Sequence, residues 1–364
     1  MYVAMNIRGE GINPIRDFTF YLSLRVILFL IQRERFKMQN NTKVCLNKLY
    51  CMDNLDLLKQ LEDNSIDLIY CDVLYNTGKK FKDYNDNLGT PQQAMEWYRP
   101  RLLEMYRVLK DTGTIYLHCD YHLNSYLRVE MDSIFGINNF RNELIRINCN
   151  PKNNSNNFGR IYDNILYYVK SKNFTFNIPC EPKNESDIIK QFNKIDSEGK
   201  RYTTTPLHAK GETKMGESGM PWHSSKGLIY PPKNRHWRTT HANLNMLEKN
   251  GLIEWSKNNN PRKIIYAEDY LDKNIQNILT EFKSMGYEND YVLYDTQKPN
   301  NLLDLLIRTS SNEGDIVADF FCGSGTSVVV AKELNRSYIG CDINSTAIEI
   351  ANKRLEEVGA VINS

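Results

Sequence analysis

The chain has 364 residues, which is enough for about two or three domains at roughly 100–200 residues each. Hydrophobic residues make up 41% and charged residues 25%, so the composition is globular and excludes a wholly disordered protein. The 46 Lys and Arg residues against 44 Asp and Glu give a net charge of +2. This balance excludes a uniformly basic surface but allows a local basic patch.

Cysteine and histidine spacing gives no sign of a metal site. The eight cysteines include no Cys-x-x-Cys pair, and His118, Asp120 and His122 have no further ligand at metal spacing. Four cysteines lie in or beside apolar runs, where we expect small buried hydrophobic side chains: Cys71, Cys119, Cys322 and Cys341. We therefore expect no bound metal and a reducing, cytoplasmic compartment.

The first 37 residues differ from the rest of the chain. Residues 18–31 are apolar apart from Thr19, Ser23 and Arg25, and they are too few and too interrupted to span a bilayer comfortably. The two main interpretations are a segment packed on the protein surface and an over-extended start before Met38. A membrane anchor is the third. We treat residues 1–37 as an N-terminal extension and predict no membrane partner.

From Met38 the chain alternates between strand-like apolar runs and amphipathic helical stretches. The predicted strands are 43–51, 65–71, 113–119, 316–321 and 337–341, and the predicted helices are 55–61, 92–109, 123–135, 302–308, 326–334 and 346–355. Strands that alternate with helices predict an α/β sheet with parallel strands. The sequence therefore predicts two α/β blocks, at residues 38–175 and 293–364.

The region between them, residues 176–292, is polar, rich in turn residues and poor in periodicity. Its segment 200–241 holds eight Lys and Arg residues against two Glu, together with four histidines and several aromatic residues. Basic residues interleaved with aromatic ones suit contact with phosphates and stacking on bases. A solvated, irregular insertion is the alternative interpretation.

The run Asp319–Thr326 is typical of a strand that leads through a Gly-x-Gly turn into a helix. Glycine allows a ligand to approach the backbone closely, and the helix N-terminus offers free N–H donors. Asp342 ends the next strand, where an acidic residue usually binds a ribose diol. Both a dinucleotide and S-adenosylmethionine fit this pattern, but Val328 replaces the third glycine of the dinucleotide fingerprint and favours S-adenosylmethionine. A purely structural corner is the alternative.

A second candidate site is Asp72-Val73-Leu74-Tyr75, directly after the buried strand at 65–71. A carboxylate at the carboxyl end of a parallel strand lies at the mouth of the ligand crevice. Tyr75 can supply a stacking face. The simpler interpretation is a strand end with a capping aspartate.

These blocks, in this order, resemble the β-class amino-methyltransferases of DNA, specifically N6-adenine methyltransferases of restriction–modification type. In that class a catalytic Asp-Pro-Pro-Tyr block comes first, target recognition second and an FxGxG cofactor loop last. Further matching blocks are Asp53-Asn54-Leu55, Phe158–Leu166, Pro221-Trp222, Arg235-His236-Trp237 and Thr296-Gln297-Lys298-Pro299. The resemblance covers about residues 43–356. It implies a Rossmann-like S-adenosylmethionine-dependent methyltransferase fold with a mixed, mostly parallel sheet, circularly permuted motif order and an irregular target-recognition insert.

The resemblance also implies roles for individual residues. The Asp72 carboxylate and the Val73 carbonyl would accept hydrogen bonds from the target amino group, and Tyr75 would stack on the flipped-out base. S-adenosylmethionine would be held by Asp53, Asp72, Thr296, Lys298, Phe320, Phe321, Cys322, Gly323, Gly325, Thr326 and Asp342. Double-stranded DNA would be contacted by Asn76, Trp222, Lys233, Arg235, Trp237 and Arg238. A cognate restriction endonuclease and a homodimer are further implied partners, at the bacterial nucleoid in the cytoplasm.

One departure from the family pattern lies in the catalytic block, where Val73 and Leu74 stand in place of two prolines. Prolines would stiffen this loop and remove two N–H donors. The acceptors on Asp72 and Val73 are retained, so we expect activity. A weakened or inactive enzyme is the alternative.

Other functions remain open from the sequence. An N4-cytosine methyltransferase normally begins its motif with serine, whereas this chain has Asp72, and a C5-cytosine enzyme needs a cysteine nucleophile that only Pro179-Cys180 suggests. RNA or protein amino-methyltransferases share the Asp-x-x-Tyr chemistry. A non-catalytic DNA-binding homologue and a dinucleotide oxidoreductase complete the alternatives.

Overall fold

The computed structural model describes residues 44–80, 85–148, 156–213, 216–282 and 297–360. The predicted N-terminal extension and Thr296 lie outside these ranges. Among the helices within them, none is both long enough and apolar enough to cross a membrane.

The strands and helices of the two predicted α/β blocks are all present, with bounds shifted by a few residues. The strands are β1 (Lys48–Cys51), β2 (Ile66–Asp72), β3 (Lys79–Lys80), β4 (Asn85–Asp86), β5 (Leu109–Cys119), β6 (Phe140–Ile147), β7 (Tyr162–Val169), β8 (Cys180–Pro182), β9 (Lys194–Ile195), β10 (Arg201–Pro206), β11 (His208–Lys210), β12 (Trp222–Ser224), β13 (Gly227–Ile229), β14 (Arg235–Trp237), β15 (Ile253–Trp255), β16 (Pro261–Tyr266), β17 (Asp272–Asn274), β18 (Ile278–Leu279), β19 (Ile316–Asp319) and β20 (Ser337–Asp342). The α-helices are α1 (Asn54–Gln60), α2 (Pro91–Val108), α3 (Asn124–Phe135), α4 (Glu185–Gln191), α5 (His241–Lys249), α6 (Asn300–Ser310), α7 (Thr326–Glu333) and α8 (Ser345–Glu357).

Local sequence determines where the first helices begin. Thr90 and Gln93 form a capping box at the start of α2, and Pro91 occupies its first turn, where a missing N–H has no cost. Asp53 caps α1 by accepting a hydrogen bond from the Leu55 N–H at 2.8 Å. The residue predicted to bind the cofactor therefore also fixes the start of a helix.

The central sheet contains eight strands in the order β1-β20-β19-β2-β5-β7-β6-β18. The first five run parallel to one another, β7 is antiparallel to both β5 and β6, and β18 is parallel to β6. The two α/β blocks meet where β19 lies beside β2, with Val317 opposite Leu68. The mixed, mostly parallel sheet confirms the predicted fold class.

The strand order also predicts where a ligand binds. From β2 the chain continues to one side of the sheet, through β5, and from β19 it continues to the other side, through β20. A crevice forms at the carboxyl ends of strands where the order reverses in this way. β2 and β19 end at Asp72 and Asp319, so both aspartates lie at this position.

The described residues divide into two compact units. One is formed by the chain up to Pro179 and from Gln276 onward, and the other by Cys180–Ile275. The second unit lies within the predicted target-recognition region at residues 176–292, whose recognition role remains a prediction. It has more regular structure than the sequence indicates, with a four-stranded antiparallel sheet in the order β15-β16-β10-β9. Strands of two to six residues are too short to show a clear alternation of apolar and polar residues.

Candidate active site

The carboxyl end of β2 carries a cluster of three polar side chains. The Asp72 carboxylate accepts a hydrogen bond from the Tyr75 hydroxyl at 2.9 Å through Oδ1, and its Oδ2 pairs with the Lys298 ammonium. The Lys298 Nζ also lies 5.4 Å from the centre of the Tyr75 ring. Burial and the neighbouring Asp72 charge raise the pKa of Tyr75 well above its ordinary value, so the hydroxyl remains a donor. Three predicted site residues thus come together, and one of them, Lys298, comes from 226 residues away in the chain.

Hydrogen bonds hold the backbone of both residues that replace proline after Asp72. The Val73 N–H donates to the His118 carbonyl at 3.1 Å, and the Tyr98 hydroxyl donates to the Leu74 carbonyl at 2.7 Å. The N–H that a proline at position 73 would lack is therefore satisfied by the neighbouring strand β5. Hydrogen bonds restrain this loop in the absence of prolines.

The turn between β19 and α7 requires glycine. Gly325 has a φ of +79°, and a Cβ at this position would lie 2.6 Å from the Cβ of Ala351. Both the backbone conformation and the space exclude a side chain. Before it, the Gly323 N–H donates to Asp342 Oδ2 at 2.9 Å, which joins the turn to the end of β20.

The same turn is braced from α8. The buried Arg354 guanidinium donates to the Ser324 carbonyl at 2.8 Å and to the Thr326 hydroxyl at 3.0 Å. Both bonds come from Nη1 of Arg354, so this one nitrogen joins the turn to the first residue of α7.

Asp319 is the most strongly buried carboxyl group at the carboxyl ends of β2, β19 and β20, with 3% of its surface exposed. It accepts a hydrogen bond from the Phe321 N–H at 2.9 Å and another from the Ser327 hydroxyl. Burial nevertheless raises the pKa of Asp319 to about 7. Burial also raises the pKa of Asp342. The crevice therefore penalises negative charge on both of these carboxyl groups.

A third group of contacts connects Asp53 to the turn between β19 and α7, residues 320–325, which we call the cofactor turn. The Arg101 guanidinium donates to Asp53 Oδ2 at 2.8 Å and to Asn54 Oδ1 at 2.7 Å, and it lies 3.6 Å from the centre of the Trp97 ring. The Asn54 amide in turn donates to the Phe320 carbonyl at 2.9 Å. No local pattern in the sequence marks Arg101, because these partners lie 47 and 48 residues away.

These groups surround one cavity of about 660 Å³, a volume typical of a small-molecule site. The predicted residues that line it are Asp53, Asp72, Val73, Tyr75, Lys298, Phe320, Phe321, Cys322, Gly323, Thr326 and Asp342. Gly325 shapes the turn from behind. Asp319 and Trp97 also line the cavity, and Asp86 is a lining residue that the sequence does not single out. Several carboxylates against one lysine suit a ligand with cationic groups and ribose hydroxyls. The lining therefore fits S-adenosylmethionine, which carries a sulfonium and an amino group.

His118 belongs to a buried network beside the Asp72 loop. Its Nδ1 lies 2.8 Å from the Tyr70 hydroxyl, and its Nε2 lies 3.0 Å from Asp163, whose other oxygen pairs with Arg146 at 3.0 Å. Burial lowers the pKa of His118, which keeps the ring neutral. Burial alone would raise the pKa of Asp163, but the contacts with His118 and Arg146 outweigh it and lower that pKa. This network supports a structural interpretation of His118.

The predicted DNA-contacting cations lie in the second unit. Lys233 and Arg238 are exposed, and Arg235 is partly buried. The Arg235 guanidinium lies 3.2 Å from the His208 Nδ1, and Arg238 donates to the His208 carbonyl at 3.2 Å. Burial and these arginines lower the pKa of His208, so the neutral ring can accept a hydrogen bond from Arg235. The ring of His208 thus holds Arg235, and its backbone carbonyl holds Arg238.

The two tryptophans of this region require a correction. Trp222 and Trp237 are each 1% exposed and form the core of the second unit with Leu207 and Leu244. Their indole N–H groups donate to the Asn245 side chain and the Met220 carbonyl. Rings buried in this way are not available for the predicted stacking on bases, and we reassign both residues to the core.

The predicted DNA contact at Asn76 stays a prediction, and its side chain is also part of the loop. Its side-chain oxygen accepts a hydrogen bond from the Leu88 N–H at 2.7 Å, and its side-chain nitrogen donates to the Gly89 carbonyl at 2.9 Å. Both ends of the amide are therefore engaged within the loop.

Comparison with known proteins assigns the chain to a family. A family model for DNA methylases of the N6 and N4 type matches residues 66–353. The chain belongs to this DNA methylase family. The match confirms the prediction of an S-adenosylmethionine-dependent DNA methyltransferase that modifies DNA at specific sites.

Curated relatives of this DNA methylase agree with the assignment. The type II methyltransferase M.EcaI of Enterobacter cloacae is 35% identical over 318 residues, which cover 85% of this chain and 69% of the relative. The DNA adenine methyltransferase YhdJ of Escherichia coli is 26% identical over 307 residues, which cover 84% of this chain and 81% of the relative.

Among solved structures, the DNA methylase is similar to the PvuII DNA methyltransferase, named as cytosine-N4-specific. The TM-score is 0.50 at 12% identity, and the match covers 85% of this chain and 89% of that one. At this identity the likeness concerns the fold alone, and it agrees with the mixed sheet described above.

Proposed function

We propose that this DNA methylase transfers the methyl group of S-adenosylmethionine to N6 of an adenine flipped out of duplex DNA. The observation that carries the proposal is the placement of Asp72 and Tyr75 on the wall of the same cavity as the cofactor turn. An aspartate at the start of the motif favours adenine over N4 of cytosine, and the name of the relative YhdJ supports adenine as well.

The chain's own residues would activate the amino group. The adenine amino nitrogen is a poor nucleophile, because its lone pair is delocalised into the ring. The Asp72 carboxylate and the Val73 carbonyl can each accept a hydrogen bond from one N–H of the amino group. These bonds favour the pyramidal form of the nitrogen and stabilise the positive charge that develops on it. S-adenosylmethionine, when bound, supplies the electrophilic methyl group. Direct transfer needs no covalent nucleophile.

The hydrogen bonds to Asp72 must change when the base arrives. Its two oxygens are engaged by Tyr75 and Lys298 in the described structure. The target amino group would take the position of the Tyr75 hydroxyl, and the Tyr75 ring would turn to stack on the base, a contact typically worth roughly 1–3 kcal/mol. Lys298 would remain paired with Asp72 and hold its carboxylate in place.

We also propose the remaining site roles. Asp53, Asp342 and the turn Phe320–Thr326 would hold the cofactor, with Thr296 as a predicted contact outside the described residues. Lys233, Arg235 and Arg238 would contact DNA phosphates. A cognate restriction endonuclease is supported by the type II name of M.EcaI. The homodimer and the location at the bacterial nucleoid stay predictions, and sedimentation of the purified chain would test the first of them.

The test is methyl transfer from radiolabelled S-adenosylmethionine to unmethylated genomic DNA, followed by digestion to nucleosides. We expect label in N6-methyldeoxyadenosine with the wild type and at least about a 100-fold loss with Asp72→Ala, because a preorganised acceptor is removed. Asp56→Ala is the matched control, since Asp56 is an exposed carboxylate on α1 and lines no part of the cavity. Label in N4-methyldeoxycytidine would overturn the assignment of the base, and full activity of Asp72→Ala would overturn the role of Asp72.

A further inference from the structure

The segment that follows Tyr75 is held by a single buried carboxylate, that of Asp86, which is 2% exposed. Asp86 Oδ1 accepts a hydrogen bond from the Asn76 N–H at 2.9 Å. Its Oδ2 accepts one from the Thr77 N–H at 2.9 Å and another from the Thr77 hydroxyl at 2.6 Å. The Gly78 N–H donates to the Asp86 backbone carbonyl at 2.9 Å. Three consecutive residues after Tyr75 are thus tied to one residue.

Hydrogen bonds connect the segment after Tyr75 and the segment around Asp86 in both directions. Asn76 has a φ of +57°, an uncommon conformation for a residue with a side chain. Its amide returns to the backbone of Leu88 and Gly89, just beyond Asp86. The residues after Tyr75 and those around Asp86 therefore form a reciprocal set of hydrogen bonds, which we call the Asp86 clamp: Asn76, Thr77, Gly78, Asp86, Leu88 and Gly89.

We propose that Asp86 is a positioning residue for methyl transfer, which sets the direction of the Tyr75 ring and of the Asp72 and Val73 acceptors. Tyr75 is the one residue between the clamp and the bond from Tyr98 to the Leu74 carbonyl, so its backbone is held on both sides. Hydrogen bonds to an ionised carboxylate are among the strong ones in proteins. The proposal rests on the proposed function, since it assigns Asp86 a role in that reaction.

The Asp86 clamp contributes more to the rigidity of this loop than it would if prolines stood at positions 73 and 74. Val73 and Leu74 lack the fixed φ of proline, so this loop depends on hydrogen bonds to hold its backbone. Asp86 itself accepts from the loop through both oxygens, so it holds the loop and leaves the target amino group to Asp72.

The test compares Asp86→Asn with the wild type by two independent measurements. Asparagine keeps one acceptor oxygen but turns an N–H toward the donors of Thr77, so part of the clamp is lost. Hydrogen exchange of the Asn76 and Thr77 amides, measured by mass spectrometry on the full chain, should become at least about tenfold faster because these amides lose their acceptor. This readout requires no methyl transfer, so it remains decisive if the enzyme acts on another base.

The second measurement is the single-turnover rate of methyl transfer at saturating cofactor and DNA. We expect about a 10- to 100-fold loss in Asp86→Asn, because small misplacements of reacting groups cost up to about 100-fold. The dissociation constants of S-adenosylhomocysteine and of DNA should change by less than about threefold. Thr77→Val removes the hydroxyl, which donates to Asp86 and accepts a longer hydrogen bond from the Lys79 N–H, but keeps both backbone bonds to the Asp86 carboxylate. It should show a smaller loss of rate, and it serves as the test if Asp86→Asn does not fold.

The matched control is Asp315→Asn. Asp315 also accepts a hydrogen bond from a backbone N–H in a turn, that of Asn312 at 2.7 Å, but it precedes β19 and so lies at the amino-terminal end of that strand, away from the carboxyl end of β2. Asp315→Asn should leave the rate of methyl transfer and the hydrogen exchange of the Asn76 and Thr77 amides unchanged. Parallel losses of rate, cofactor affinity and thermal stability in Asp86→Asn would reduce the residue to a structural role. Unchanged exchange or an unchanged rate would overturn the proposal.

Discussion

Replacing Asp319 by asparagine removes the buried carboxyl group of the cofactor cavity while keeping its shape. The amide oxygen of the new side chain can still accept from the Phe321 N–H, and the Ser327 hydroxyl can rotate to accept from the new amide nitrogen, so both contacts of Asp319 survive. What changes is the capacity to titrate. We therefore expect the substitution to alter how the free energy of unfolding depends on pH.

The size of the effect follows from the shift in the pKa of Asp319. The carboxyl has an ordinary pKa of 3.8 and a pKa of about 7 in the folded protein. Between these values the folded protein holds a proton that the unfolded chain has released, so the wild type loses stability as the pH rises. A difference of about 3 pKa units at roughly 1.36 kcal/mol each amounts to about 4 kcal/mol.

Urea unfolding of the cofactor-free protein at several pH values between about 4 and 8 measures this difference. Relative to Asp319→Asn, the wild type should lose about 4 kcal/mol across the range, with most of the loss complete near pH 7. Ser327→Ala removes a hydrogen bond that lowers the pKa of Asp319, so the loss should extend to higher pH. Stability curves that run parallel in the wild type and Asp319→Asn would refute the reasoning.

Two further predictions concern the second unit. Combined Arg235→Ala and Arg238→Ala should reduce the magnitude of the slope of log K against log salt concentration for DNA binding by about 1–2, since each lost phosphate contact contributes about 0.9. Fluorescence anisotropy of labelled DNA measures this slope. An unchanged slope would contradict the placement of the DNA-binding surface at these arginines. Trp237→Ala should cost about 3–5 kcal/mol of unfolding free energy, because the ring is fully buried. Weaker DNA binding by Trp237→Ala with unchanged urea stability would contradict its place in the core.

The sequence predicts well those parts of the site that lie at the ends of regular elements. Asp72 follows a strand marked by a continuous apolar run, and the turn at Gly325 stands between a strand and a helix with clear patterns. Once the alternation of strands and helices predicts a parallel sheet, the carboxyl ends of its strands lie at one edge. Side chains at those ends can therefore be predicted to lie close together, even though the sequence shows no contact between them.

Residues held by tertiary contacts escape such reasoning. Arg101 reaches Asp53 only because α2 packs beside α1, and Asp86 lies in a polar stretch without periodicity. Interleaved aromatic and basic residues look the same whether the rings point outward or inward. For Trp222 and Trp237, the pairing of β12 with β13 and of β11 with β14 decides the matter by turning both rings into one core.

The pairing of β19 with β2 has a consequence for synthesis on the ribosome. The Ile316 N–H donates to the Asp67 side chain, a contact across 249 residues. A nascent chain therefore exposes one edge of β2 until almost all of its length has been translated, and exposed strand edges are prone to pair with other chains. The segment Cys180–Ile275 is continuous and makes its strand pairings among its own residues. It can acquire structure before β18, β19 and β20 of the central sheet have been synthesised.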